Sequence, residues 1–267
     1  MAGAERSGFL RAGRIVTPVS PVATGILWVD GRITDVGRAE DLVRRVRPGM
    51  PVFDLPRTTV TAGFVDAHTH FGMWALSRRR VQLAGARTRA EAVRRVARGP
   101  VFQGWVLGQG WDANGWEAPP DRTALDLVQS GPVYLDSLDV HSAWLNTAAL
   151  RAAGIDRHTP DPPGGVIVRD AAGEPTGLLK ERAVELAKAV LPEPPADLLL
   201  SLLLEAQEEA LRLGVTGIHN VEGKAYLDAF RELERLGQLR LRVLFHPPVE
   251  LLPELVASGV RSGQGSD

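Results

Sequence analysis

The chemistry-bearing residues of this chain are Asp66, His68 and His70, which occupy alternate positions at the end of an apolar, β-branched run that starts at Val60. In a strand, positions i, i+2 and i+4 share one face, so the carboxylate and the two imidazoles project together. Two neutral imidazoles one pleat apart can grip the same divalent ion. If the strand belongs to a (β/α)₈ barrel with that face inward, the pair sits at the carboxyl-terminal mouth, where such enzymes keep their chemistry. The plainer alternative is two hydrogen-bonded histidines at a strand end. Gly63 before the strand and the spacing of Asp66 favour the metal.

The elements that must position these residues follow from pattern. Phe9–Val16, Gly25–Val29 and Arg32–Val36 read as strands, with Asp30-Gly31 as a hairpin turn. A short helix over 39–46 and a strand over 52–55 complete a small β module. Thr88 and Glu91 form a capping box for a helix over 88–98, whose arginines make a solvated face. A strand over 105–109 leads into a turn rich in glycine and tryptophan, Gly110 to Trp116. A strand over 132–136 precedes His141 and a helix expected over 142–153. A hairpin over 166–179 follows a rigid loop at Pro160–Gly165. From 195 onward the pattern alternates: helix 195–213, strand 215–219, helix 224–236, strand 239–245, with Gly214 and Gly237 closing the helices. Helix and strand alternation with short connections implies right-handed βαβ units and a parallel sheet.

Composition narrows the function classes. The net charge is −1 across 267 residues, so no global field draws the protein to nucleic acid or an anionic membrane. Cysteine is absent, which excludes disulfides, thiolate metal sites and a cysteine nucleophile. The leucine-rich run 198–204 is too short to span a bilayer. The amino terminus lacks the apolar core of a signal peptide, so a cytoplasmic location is the default expectation.

Taken together, these segments resemble amidohydrolase superfamily family 3, the group that includes N-substituted formamide deformylases. The resemblance runs through Gly63–His70, Gly110-Trp111-Asp112, His141–Ile155, Thr159–Gly165, Gly173–Glu181 and Leu213–Gly217, and so covers essentially the whole chain. It implies an α/β fold containing strands one to three of a metallo-dependent hydrolase (β/α)₈ barrel, with a small amino-terminal β-sandwich module and an α+β insertion. The implied domains are 1–58 for the β module, 59–76 with 193–267 for the partial barrel, and 77–192 for the insertion. Barrel strands one, two and three would be 60–66, 215–219 and 239–245.

The resemblance also implies a metal-dependent amidohydrolase that cleaves a non-peptide C–N bond of amide or formamide type in a small molecule. A divalent metal, zinc first, would activate water. A deaminase acting on a ring amidine is a weaker reading within the same superfamily. His68 and His70 are the ligands this chain supplies, and Asp66 would orient an imidazole. Trp111, Asp112 and His141 are the substrate-binding candidates, each balanced by a packing or capping alternative. His219 is a weaker pocket candidate, and His158 and His246 carry no assigned role. Lys180 and Glu181 read as structural.

The family's later strands supply a lysine, two more histidines and a catalytic aspartate. This sequence has no matching positions, and Asp267 is not assigned as the base. Either the sequence is a fragment or inactive remnant, or a homo-oligomer or complementing carboxyl-terminal half completes the site. The chain alone is therefore expected to be poorly soluble or to associate through an open sheet edge.

Overall fold

A computed structural model describes residues 6–261 and residue 263. The expectations for Asp267 and for the first five residues lie outside the described residues. The chain divides into two compact units, residues 1–66 with 214–217 and residues 67–213 with 218–267.

In the first unit, β1 (Gly8–Ile15), β2 (Gly25–Val29), β3 (Arg32–Gly37) and β4 (Val52–Val60) form one sheet in the order β3-β2-β1-β4. β1 is antiparallel to β2 and parallel to β4. Asp30 and Gly31 join β2 to β3 with φ of 53° and 79°, the left-handed pair that a two-residue hairpin requires. The short helix α1 (Ala39–Leu42) lays Ala39 and Leu42 against Phe9 and Leu27. Where a sandwich is expected, β1 to β4 form one sheet, and the unit's other strand residues, 64–66 and 215–217, belong to a separate sheet.

The run from Val60 to His70 is not one strand. β4 ends at Val60, and β5 (Phe64–Thr69) begins after a break at 61–63. Gly63 makes that break possible, because a Cβ there would lie 2.3 Å from the Thr216 side chain. Strand one is therefore 64–69, not 60–66, and His68 lies inside it.

In the second unit, α2 (Phe71–Ser77) follows β5 at once. The insertion then builds a seven-stranded sheet from β6 (Val81–Gln82), β7 (Val101–Phe102), β8 (Trp105–Trp111), β9 (Val133–Ser137), β10 (Ser142–Leu145), β11 (Gly165–Arg169) and β12 (Pro175–Glu181). The order is β11-β12-β10-β9-β8-β6, with β7 on β8. Helices α3 (Arg89–Ala97), α4 (Arg122–Asp126), α5 (Thr147–Ala152) and α6 (Val184–Lys188) cover the sheet. Alternation along β9 and β10 divides the core. Tyr134, Ala143 and Leu145 pack with Leu150, Val184 and Ala187 on one face. Leu135 and Trp144 pack with Ala92, Val96, Leu125 and Trp111 on the other.

The helix expected over 142–153 is corrected at its start. Ser142–Leu145 is strand β10, hydrogen-bonded to β9 and β12, and the helix occupies only 147–152. Two partner strands outweigh the helical propensity of an Ala- and Leu-rich stretch. Asn146 marks the switch: its Oδ1 accepts from Val133 N and Ala149 N, and its Nδ2 donates to Gly131 O.

The remainder is α7 (Ala196–Arg212), β13 (Val215–Asn220), α8 (Lys224–Arg235), β14 (Arg242–Phe245) and α9 (Leu252–Ala257). β14 is shorter at its start than the predicted 239–245. α7 buries Leu199, Leu202, Leu203, Ala206 and Ala210, a spacing of three and four that makes one helical face. A three-stranded sheet has the order β14-β13-β5. Among the described residues no helix is long and apolar enough to cross a membrane.

Candidate functional site

The carboxyl ends of β5, β13 and β14 come together. Val221 N donates to Thr69 O at 2.8 Å, and His246 N donates to Asn220 O at 2.7 Å. Phe64 N donates to Gly214 O at the opposite end of β5, so β5 and β13 run parallel. Alternation then fixes the faces. Thr69 and Asn220 share one, joined by a hydroxyl-to-amide hydrogen bond of 3.2 Å. His68, His70 and His219 fall on the opposite face. Phe245 turns toward Phe230 of α8, which leaves the next residue, His246, on the face with His219.

Four of the chain's six histidines thus lie at these strand ends. The His68 and His70 ring centres are 5.5 Å apart, as are those of His219 and His246. Two imidazoles that share one ion at Zn–N distances of about 2.0–2.1 Å and a tetrahedral angle have ring centres roughly 5.4 Å apart. The His68–His70 spacing therefore fits two donors to a single divalent ion. Among the described residues no three His, Asp or Glu side chains assemble into a metal-holding group.

The turn leaving His70 is held from below by two buried side chains that the sequence reading passed over. Asn220 Oδ1 accepts from Phe71 N at 2.8 Å. Glu222 Oε2 accepts from Gly72 N at 3.0 Å, and Oε1 accepts from Met73 N at 2.7 Å. Asn220 Nδ2 donates to Glu222 Oε2 at 2.9 Å, which ties the two acceptors together. The carboxylate thus satisfies the open N–H groups at the start of α2. Gly72 is required there, since a Cβ would meet the Tyr226 ring at 2.1 Å. Burial, with Glu222 nearby, pushes the Tyr226 hydroxyl up to about 12. The readable signal was Asn220-x-Glu222, two polar residues following a β-branched strand.

The insertion carries the other candidates but does not bring all of them together. Trp111 and Asp112 line a cleft of ≈ 450 Å³ with Asn114, Ser137, Ser142 and Lys180. Trp111 is a buried wall whose indole N–H donates to Leu135 O at 2.9 Å. Asp112 is exposed and accepts from Asn114 N at 3.0 Å. His141 stands outside that lining. Its Nδ1 lies 3.0 Å from Glu181 Oε2, and this hydrogen bond, then the carboxylate charge, raises the imidazole pKa. His141 therefore precedes a strand, not a helix, and Glu181 is its partner.

The backbone around this pair is strained. Val140 has φ of 58° and Glu181 φ of 52°. Left-handed backbone costs an L-residue roughly 1–2 kcal/mol, and a β-branched residue there is an outlier.

Comparison with known proteins identifies the family. An amidohydrolase family model matches residues 52–266. The chain is 35% identical over 208 residues to the Bacillus subtilis protein YtcJ, covering 74% of this chain and 39% of that protein. It is 32% identical over 217 residues to an N-substituted formamide deformylase of Arthrobacter pascens, covering 77% and 40%. A crystal structure of a metal-dependent hydrolase from Pyrococcus horikoshii superposes with a TM-score of 0.76 at 26% identity, over 97% of this chain and 52% of that one. Its counterpart from Pyrococcus furiosus gives 0.74 at 27% identity, over 96% and 54%. The chain thus spans well under half of the curated relatives and about half of the solved structures.

Proposed function

We infer the chemistry of this chain from one premise: it belongs to the amidohydrolase family. Membership makes it part of a hydrolase and implies a divalent metal. The finer reading is that the protein hydrolyses a non-peptide C–N bond of amide or formamide type in a small molecule, with zinc as the metal. The observation that carries it is the His68–His70 pair at 5.5 Å on a strand end.

In this reading His68 and His70 hold the ion, and Asp66 is the carboxylate that orients an imidazole. A divalent ion there supplies Lewis acidity, which polarises an amide carbonyl and makes water a better nucleophile. Asn220 and Glu222 keep the turn after His70 in place, so the second imidazole keeps its direction. Trp111 and Asp112 form one wall of the cleft, and His141 offers a ring nitrogen from the neighbouring edge. The three-stranded sheet β14-β13-β5 supplies strands one to three of the barrel. Two ligands are fewer than the three that a catalytic zinc site draws from protein. The described residues therefore supply only part of a catalytic ligand set.

Metal content and zinc affinity of the purified chain, beside a His68→Ala/His70→Ala variant, test the reading. Stoichiometric zinc that the variant loses supports it. Zinc uptake indifferent to the two substitutions sinks His68 and His70 as ligands.

A further inference from the structure

The chain has three asparagines, Asn114, Asn146 and Asn220. Two of them are locked in place. Asn146 and Asn220 are fully buried, and each side chain both accepts and donates hydrogen bonds. The backbone N–H that follows each is taken as well. Thr147 N donates to Asp126 Oδ1 at 2.9 Å, and Val221 N donates to Thr69 O at 2.8 Å. Asn114 differs on every count. It is exposed on the wall of the insertion's cleft. Among the described residues neither its side-chain amide nor the N–H of Gly115 has a hydrogen-bond partner. Trp116 N donates to Ala113 O at 3.1 Å, so Asn114 and Gly115 are the two central residues of a β-turn. Gly115 has no Cβ to shield its nitrogen, and the space where one would stand is empty.

We propose that Asn114 is a self-modification site, at which the chain converts its own side-chain amide to a carboxylate. Gly115 N gives up its proton to solvent hydroxide and attacks Asn114 Cγ. A C–N bond forms, the Cγ–Nδ2 bond breaks, and Nδ2 leaves as ammonia with a proton from water. The product is a five-membered succinimide ring. Water then adds to one of its two carbonyls. Opening at Cγ gives aspartate, and opening at the main-chain carbonyl gives isoaspartate. Nothing is oxidised or reduced: an amide and water become an acid and ammonia. The reaction puts a third carboxylate on the cleft wall beside Asp112 and Asp139, against the single ammonium of Lys180. Anionic ligands are then repelled more strongly and cationic ones held better. The charge of the cleft comes to depend on the age of the molecule.

The test is to hold the full, folded chain in mildly alkaline buffer and follow it by anion-exchange chromatography and peptide mass spectrometry. The expected product carries one more negative charge and about 1 Da more mass, both confined to the peptide that contains Asn114. It separates into aspartate and isoaspartate forms, and ammonia appears in step with it. Gly115→Ala, which the open space and the ordinary backbone at 115 accommodate, should give no product in the time that half of the wild type converts. An Asn114 that stays an amide in the folded chain overturns the proposal, whether or not the chain unfolded in urea converts. So does a Gly115→Ala variant that converts as fast as the wild type, or conversion of Asn146 or Asn220 at the rate of Asn114. No readout involves a metal, so the outcome is independent of the hydrolase reading.

Discussion

The strand ends and the insertion hold their histidines by opposite means. Behind His70 the work is done by buried groups: Asn220 is fully buried and accepts from Phe71 N, and Glu222 is 6% exposed and accepts from Gly72 N and Met73 N. Around His141 the restraints are exposed and the backbone itself is bent into an unfavourable region. In the first region the same bonds place the histidine and stabilise the fold. In the second, placement comes at a cost to stability. Substitutions should therefore separate the two: behind His70 they remove fold and site together, while beside His141 they remove orientation and leave the fold intact.

The insertion's own core sets the upper end of the expected effects. Trp144 is fully buried in β10, so Trp144→Ala should lose about 3–5 kcal/mol in denaturant unfolding. Next comes Glu222→Ala, which strands the N–H groups of Gly72 and Met73 and should cost about 2–3 kcal/mol while weakening metal uptake at His70. If stability falls but metal uptake is untouched, the turn does not position His70. Thr88 caps α3 by accepting from Glu91 N, and Thr88→Ala should cost about 1 kcal/mol, well away from either histidine. The smallest effect belongs to His141. Its folded pKa lies above the ordinary 6.5, so its stabilising contribution is complete below that value and is lost as pH rises through the raised one. The Tm gap between the wild type and His141→Ala should therefore shrink from pH 5 to pH 8. A gap that widens with pH would show that Glu181 does not hold the imidazolium.

Local signals in the sequence carried much of this structure. Asp30-Gly31, the Thr88 cap and the alternation after 195 each rest on contacts only a few residues apart, and they appear where pattern places them, although Glu91 closes the cap on Arg87 N, one residue before Thr88. The misses share the opposite property. Ser142–Leu145 is a strand because β9 and β12 lie on either side of it, a fact of pairing that no window around Trp144 contains. His246 joins His219 only through the register of β14 on β13, and Glu181 meets His141 only through the β10–β12 pairing. The His-x-His pair was legible because both members sit on one strand, whereas its buried supports come from another.

Three of the insertion's four tryptophans, Trp111, Trp116 and Trp144, cluster with ring centres 5.8, 6.2 and 6.4 Å apart. Indoles that close and fixed at steep mutual angles couple their electronic transitions, so they should give an exciton signal in circular dichroism that vanishes when their packing loosens. Trp28 belongs to the first unit, stacked on Phe53 at 5.9 Å, and takes no part in that signal. The protein thus carries a built-in optical gauge of one region, against which melting of the other can be timed without any label.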